Sequence, residues 1–255
     1  MGDRPKKGNS TVAGALFEAG AALKKSTTEL GGSDAYIVLE DADLNKAVQW
    51  AVFGRMNNAG QACCGAKRFI LREEIADEFL NRFKSELSKF EPGDPMDPKT
   101  TLAPLCTRGA IELVARQIDS AIKGGATVLS GGKRYDRTGY FLQPTILTNV
   151  SHNNPAFYQE FFAPVALIFR VKNDEEAIKL ANDSPYGLGG SIITENVERG
   201  KRLARQIDTG MVFINQATWT APDLPFGGIK NSGYGRELGE LGIGEFVNKK
   251  LVRVA

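Results

Sequence analysis

Four short runs, AYIVL from Ala35, RFILR from Arg68, VALIFRV from Val165 and GMVFIN from Gly210, are apolar without regular alternation with polar residues. A strand with one wet face alternates, so runs of this kind predict strands covered on both faces, as in a parallel sheet. Segments of helical period lie between them. In EEIADEFLNRFKSELSKF, Ile75, Phe79, Phe83, Leu87 and Phe90 recur every three or four residues and make one apolar stripe. Further helices are predicted over 42–57, 108–123, 174–182 and 196–208, the last two preceded by Asn173 and Asn196, whose side chains can cap. Strands alternating with helices need crossover connections, which gives an α/β fold with a mainly parallel, twisted sheet. Gly and Pro clusters at EPGDPMDP, GGKRYDRTG and DLPFGGIKNSGYG mark loops, and the sequence shows neither an internal repeat nor a clear linker.

Charge and cysteine content narrow the function. The 32 basic and 30 acidic residues are spread along all 255 positions, so a net charge of +2 builds no concentrated field for nucleic acid or an anionic membrane. A small-molecule partner is expected. The longest apolar runs, such as VALIF, fall far short of the roughly 20 residues that span a bilayer, and MGDRPKKGNS lacks an apolar signal core. Three cysteines without an even framework fit a reducing compartment, and the expected location is the cytoplasm. With no paired C-x-x-C clusters and a single histidine, no metal site is expected. A cysteine hydrolase would have to use His152, which sits in the Asn-rich NVSHNNPAF with no orienting signature around it.

Two of the three cysteines, Cys63 and Cys64, are adjacent in NNAGQACCGAKR, where a helix gives way to a strand. Junction loops carry chemistry more often than core strands. Ala59, Gly60, Ala62 and Gly65 would let backbone amides approach a substrate. A free thiol titrates near ~8.5, so a nucleophile here needs neighbours that favour the thiolate. On these residues alone, a buried pair packing as small hydrophobes and a reactive pair are equally supported.

NNAGQAC followed by KRFIL resembles the catalytic cysteine motif of the aldehyde dehydrogenase superfamily, in which the cysteine two places after Gly-Gln is the nucleophile. The resemblance assigns that role to Cys63 and leaves Cys64 as a packing residue. TTELGGSDAYIVLEDADL resembles the family's Glu-Leu-Gly-Gly signature, so Glu29 is the implied base that activates the deacylating water, and Gly31 the implied cofactor-side glycine. QEFFAPV resembles Glu-x-Phe-Gly-Pro, which implies Glu160 at the nicotinamide ribose and Phe162 against the nicotinamide ring, with Ala163 where the family has glycine. LPFGGIKNSGYGREL resembles the late loop that lines the substrate funnel, and places Phe226 there. These motifs, in family-like order, cover residues 10 to 255.

The resemblance implies oxidation of an aldehyde to a carboxylic acid with NAD or NADP, through a thiohemiacetal and a thioester, in a homo-oligomer. It assigns residues 1–31 to the remnant of a dinucleotide-binding domain, 32–235 to the catalytic domain and 236–255 to a tail at a subunit contact. Most of the Rossmann-type domain is expected to be missing, which would leave the chain inactive alone or serving as a structural partner. GNSTVAGALFEAGAALKK resembles the last helix of that domain, with Ser10 and Gly14 as remaining cofactor contacts and Asn9 in place of a glycine. The motifs look most like the succinate-semialdehyde branch, some members of which place Arg directly before the motif's Asn. Asn57 stands there in this chain, so Arg55 and the loop QATWTAPDLPF are the candidates for holding a substrate carboxylate, and Trp219 can equally make the funnel apolar.

Overall fold

The computed structural model describes residues 7–255, with side chains from Val12 onward. Helix α1 (Lys7–Ala21) leads through a loop to β1 (Asp34–Val38), followed by α2 (Leu44–Met56), β2 (Ala66–Arg72), α3 (Glu73–Leu87) and α4 (Arg108–Lys123). Next come β3 (Thr127–Ser130), β4 (Thr145–Thr148), β5 (Val165–Val171), α5 (Asp174–Asn182), β6 (Tyr186–Gly187) and β7 (Gly190–Ile193). The chain closes with α6 (Val197–Ala204), β8 (Phe213–Ile214), β9 (Ile229–Lys230) and α7 (Gly239–Glu245). Seven strands form one sheet in the order β3-β4-β5-β2-β1-β7-β8, parallel except at the β3–β4 pair, while β6 and β9 pair separately.

The unalternated apolar runs occupy the middle of the sheet. Tyr36, Phe69, Ile70, Val165 and Leu167 are fully buried there, and α3 lays its stripe on β2 and β5. Phe83 meets Phe69 with ring centroids 5.1 Å apart and Phe79 at 5.6 Å. Each such ring contributes about 1.5–3 kcal/mol by leaving water. The helices α4 and α5 match the spans read from the sequence. Helix α2 is shorter at its start, because the Asp43 side chain accepts hydrogen bonds from Asn45 N and Lys46 N and caps the helix there.

Two further elements are shorter than expected: α6 ends at Ala204, and GMVFIN contributes only Phe213 and Ile214 as an edge strand beside β7. The strands β3, β4 and β7 were not foreseen. TVLS and TILT are four residues long and carry threonine and serine, so no apolar run announces them.

The topology fixes where chemistry can sit. Parallel register pairs Asp34 with Ala66, Ala35 with Gly190 and Arg68 with Leu167, so β5, β2, β1 and β7 begin at one edge of the sheet. The segments that precede them, 29–33, 57–65, 160–164 and 188–189, are brought to that edge together. Among the described residues, no helix is long and apolar enough to cross a membrane, and no group of three His, Cys, Asp or Glu side chains could hold a metal ion.

Candidate active site

Helix α2 ends in a tight turn, Asn57–Gly60, in which Asn58, Ala59 and Gly60 all have left-handed backbone, with φ of 52°, 53° and 74°. For Ala59 this costs about 1–2 kcal/mol, so neighbours must hold the turn. Asn58 Nδ2 donates to Gln61 O at 3.0 Å and Gln61 Nε2 returns to Asn58 O at 3.1 Å, while Gln61 Oε1 accepts from Cys106 N at 2.8 Å. Gly60 is required here for a second reason. A Cβ on it would lie 2.4 Å from the carbonyl carbon of Ala163, so its bare Cα lets the cysteine loop rest on the segment before β5.

Arg55 is corrected by the structure. It is fully buried, with Nη1 donating to Ala66 O at 2.8 Å and Nη2 to Gly60 O at 2.6 Å. The guanidinium therefore braces both ends of the cysteine loop from beneath and does not line a substrate funnel. Replacing Arg55 by Met removes both charged donors and strands two carbonyls, so the folded state should lose about 2–4 kcal/mol, read as a lower midpoint in urea. An unchanged midpoint would reject the bracing role.

The loop places Cys63, half-buried, with its Sγ 3.7 Å from Glu29 Oε2, although 34 positions separate the two in sequence. Glu29 is steadied from its far side: Thr28 N donates to Tyr234 O at 3.0 Å and Leu30 N to Ser232 O at 3.1 Å. The late SGYG segment thus straps the extended segment that carries Glu29, a contact that the sequence reading did not find. Burial, then the nearby Cys63 charge, push the Glu29 carboxyl up to about 8. Cys63 moves the other way, to about 6, chiefly because the Cys64 thiol and backbone N–H hydrogen-bond to it, with Lys67 and Glu29 adding to the effect against the cost of burial. Cys64, buried and beside that thiolate, is pushed up. At neutral pH the pair therefore holds one proton, on Glu29, and leaves sulfur charged.

Glu160 and Gly31 meet beside this pair. A Cβ on Gly31, whose φ is 104°, would lie 2.4 Å from Glu160 Oε2, so glycine admits the carboxylate against the backbone. Glu160 Oε1 accepts from Gly32 N at 3.0 Å and pairs with Lys67 Nζ at 3.3 Å. Two residues on, the Phe162 ring is 44% exposed and presents an open aromatic face. Lys67 is wholly buried at the start of β2, and its Nζ also donates to Ala62 O at 3.0 Å and Cys63 O at 2.6 Å. Asp34, buried below, accepts from Gly189 N at 3.1 Å and is raised to about 6 by burial, against the lowering effect of Lys67. Neither Lys67 nor Asp34 was singled out from sequence; a Lys-Arg pair leading directly into the apolar FIL was the available signal.

The remaining candidates separate. Trp219 is partly exposed and meets Phe53 edge-on with centroids 5.0 Å apart, which makes an aromatic surface patch. Phe226 is buried against Cys64 and Leu188, with Cys63 and Met211 at the margin, so it packs under the thiols and its ring is not open to the funnel. His152 pairs with Asp183 at 3.1 Å and stacks on Phe157, leaving Glu29 as the carboxyl partner of Cys63 and no histidine beside the thiol. The Ser10 side chain lies outside the described residues, and nothing stands within 4 Å of a Cβ built on Gly14.

Comparison with known proteins gives one answer at two levels. Residues 7–252 match the model of the aldehyde dehydrogenase family. A succinate-semialdehyde dehydrogenase (NADP+) of Deinococcus radiodurans is 49% identical over 235 residues, covering 92% of this chain and 49% of that protein. One from Mycobacterium tuberculosis is 45% identical over 237 residues, covering 93% of this chain and 52% of its own length. Among solved structures, succinic semialdehyde dehydrogenase from Streptococcus pyogenes in complex with NADP+ superposes with a TM-score of 0.93 at 47% identity, covering 96% of this chain and 54% of that one. The chain spans about half the length of the curated relatives it matches.

Proposed function

This chain belongs to the aldehyde dehydrogenase family, and from that premise we propose that its cleft oxidises an aldehyde, succinate semialdehyde foremost, to the carboxylic acid with NADP or NAD. The observation that carries this reading is the Cys63–Glu29 pair at 3.7 Å. A thiolate nucleophile and a carboxyl base share one cleft, with an exposed aromatic ring and a fixed carboxylate two residues apart beside them. The identity to relatives that act on succinate semialdehyde supports the substrate.

The residues present fit the nicotinamide end of such a cofactor, with the open ring of Phe162 to lie against it and the carboxylate of Glu160, held by Gly32 and Lys67, to meet its ribose. Bound there, NADP or NAD supplies the two-electron oxidation that converts the substrate adduct to a thioester. The chain's own groups do the rest. Cys63 adds as thiolate to the aldehyde carbon, and the carbonyl oxygen gains the negative charge of a thiohemiacetal. Once the sulfur is acylated it carries no charge, so the Coulombic part of the upward push on Glu29 is gone and the carboxyl ionises more readily. Glu29 Oε1, buried and without a protein partner, then takes a proton from the water that attacks the thioester, and acid and thiolate are released.

Residues 32–235 form the catalytic domain in this reading, and residues 1–31 belong to the dinucleotide-binding domain. Phe246, Leu251, Val252 and Val254 are all more than two-thirds exposed, which supports the tail 236–255 as a contact between copies of the chain. Three free thiols suit a cytoplasmic setting.

The test is peptide mapping after limiting iodoacetamide. Cys63 should be labelled ahead of Cys64 and Cys106, and succinate semialdehyde should slow that labelling more than butyraldehyde does. First labelling at Cys64 or Cys106 would sink the assignment.

A further inference from the structure

Lys67 draws together more of this site than any other side chain, and the family reading gives it no role. It is the second residue of β2, in a run whose following residues are buried, and is itself wholly buried. Taking an ammonium out of water is costly, so such a group persists only where its surroundings compensate it. Here all three donor directions of Nζ are used: Ala62 O at 3.0 Å, Cys63 O at 2.6 Å and Glu160 Oε1 at 3.3 Å. Two acceptors belong to the nucleophile loop. The third belongs to the segment before β5 that carries Phe162.

We propose that Lys67 is a positioning residue, one buried cation that ties the Cys63 loop to Glu160 so that the nucleophile and the carboxylate facing the cofactor are held as a unit. The inference rests on the functional reading above, which names Cys63 as the nucleophile. Covalent continuity from Cys63 to Lys67 along the loop does not fix the loop against the neighbouring strand; the ammonium does. Its charge also faces the sulfur. The other charged or titratable groups around Cys63 are Glu29 before β1, Asp34 on β1 and adjacent Cys64, with Glu237 from the late loop acting on Glu29. Around Lys67 they are Glu160, Arg55 and Asp34. The carboxylates oppose the thiolate, so Lys67 is the nearby cation that favours it.

The test follows the pH profile of Cys63 alkylation by iodoacetamide in the 255-residue chain, with fold checked by circular dichroism. Lys67→Gln keeps an amide donor and removes the charge. It should raise the alkylation midpoint by about one pH unit, roughly a tenfold lower rate below the native midpoint. Glu160→Gln keeps an acceptor for Gly32 N and frees the ammonium from its counter-charge, so the midpoint should fall. The double variant should behave as Lys67→Gln alone, because Glu160 acts on the sulfur through Lys67. A folded Lys67→Gln chain with the native profile would overturn the proposal. Should that variant not fold, an unmoved midpoint in Glu160→Gln would overturn it. A native Cys63 that alkylates like an ordinary exposed thiol would instead sink the functional reading beneath it, which keeps the two failures apart.

Discussion

Cys63→Ser should leave the chain folded and remove its covalent chemistry, with release of nitrophenolate from an activated ester falling by a factor on the order of 10³ or more. The reason is the state of the sulfur. At about 6, the Cys63 thiol is mostly ionised at pH 7, whereas a serine hydroxyl in the same place stays protonated and depends on Glu29 to take its proton during attack, a carboxyl that burial still holds up even without the charge of Cys63 beside it. The site is therefore arranged for a nucleophile that arrives charged, unlike a serine hydrolase, which needs a free base beside the hydroxyl. Sulfur and oxygen differ little in packing here, since Cys63 is only half-buried, so the urea midpoint should move by less than about 1 kcal/mol. Stopped-flow measurement of the burst decides. A burst of native size in the variant would show that another group, Cys64 first among them, is acylated.

The second large effect is expected from Glu29→Gln, and it should split the reaction. Acylation needs the thiolate, while hydrolysis of the thioester needs a base, so the variant should keep its burst and lose steady-state turnover by about 10²–10⁴-fold. Amide nitrogen can still donate to the sulfur, whereas no proton can be taken from water. Equal loss of burst and turnover would remove Glu29 from the deacylation step. The pH dependence follows from the same pair. The burst rate should rise with pH through about 6, as Cys63 ionises. Turnover should keep rising above that point but level off below pH 8, because acylated sulfur no longer opposes ionisation of Glu29.

Stability carries a matching signature. The unfolded reference values are 4.5 for the carboxyl and 9.0 for the thiol, against about 8 and about 6 in the folded chain. Between pH 4.5 and about 6 the folded pair binds one proton more than the unfolded pair, so its contribution to stability falls as pH rises. From about 6 to about 8 both states hold one proton and the contribution is flat. Above about 8 the unfolded pair binds more, and the contribution rises towards pH 9.

Much of the architecture was legible because the central strands are covered on both faces. AYIVL, RFILR and VALIFRV had no alternation to hide them, and α5 declared its start through the Asn173 cap, whose side chain accepts from Glu176 N. TVLS, TILT and GSII escaped because a four-residue strand buries too little to need an apolar run of its own. Arg55 was misread for a related reason. A lone arginine at a helix end reads as exposed, and only the closure of the cysteine turn beneath it supplies the two carbonyls that compensate its burial.

Sequence by itself determined which residue types could do chemistry: two cysteines behind Gly-Gln, a glutamate before Leu-Gly-Gly, one histidine outside any catalytic pattern, and glycines where backbone must pass close. It could not decide how these meet. Parallel pairing of β1, β2 and β5 brings the segments before three separate strands to one sheet edge, which sets Glu29 at 3.7 Å from Cys63 and Glu160 at 3.3 Å from Lys67. Pattern along a chain reports what each residue tolerates as neighbours, water or apolar atoms. The charge that sulfur carries at neutral pH depends on distances between atoms dozens of positions apart, and those exist only once the sheet has formed.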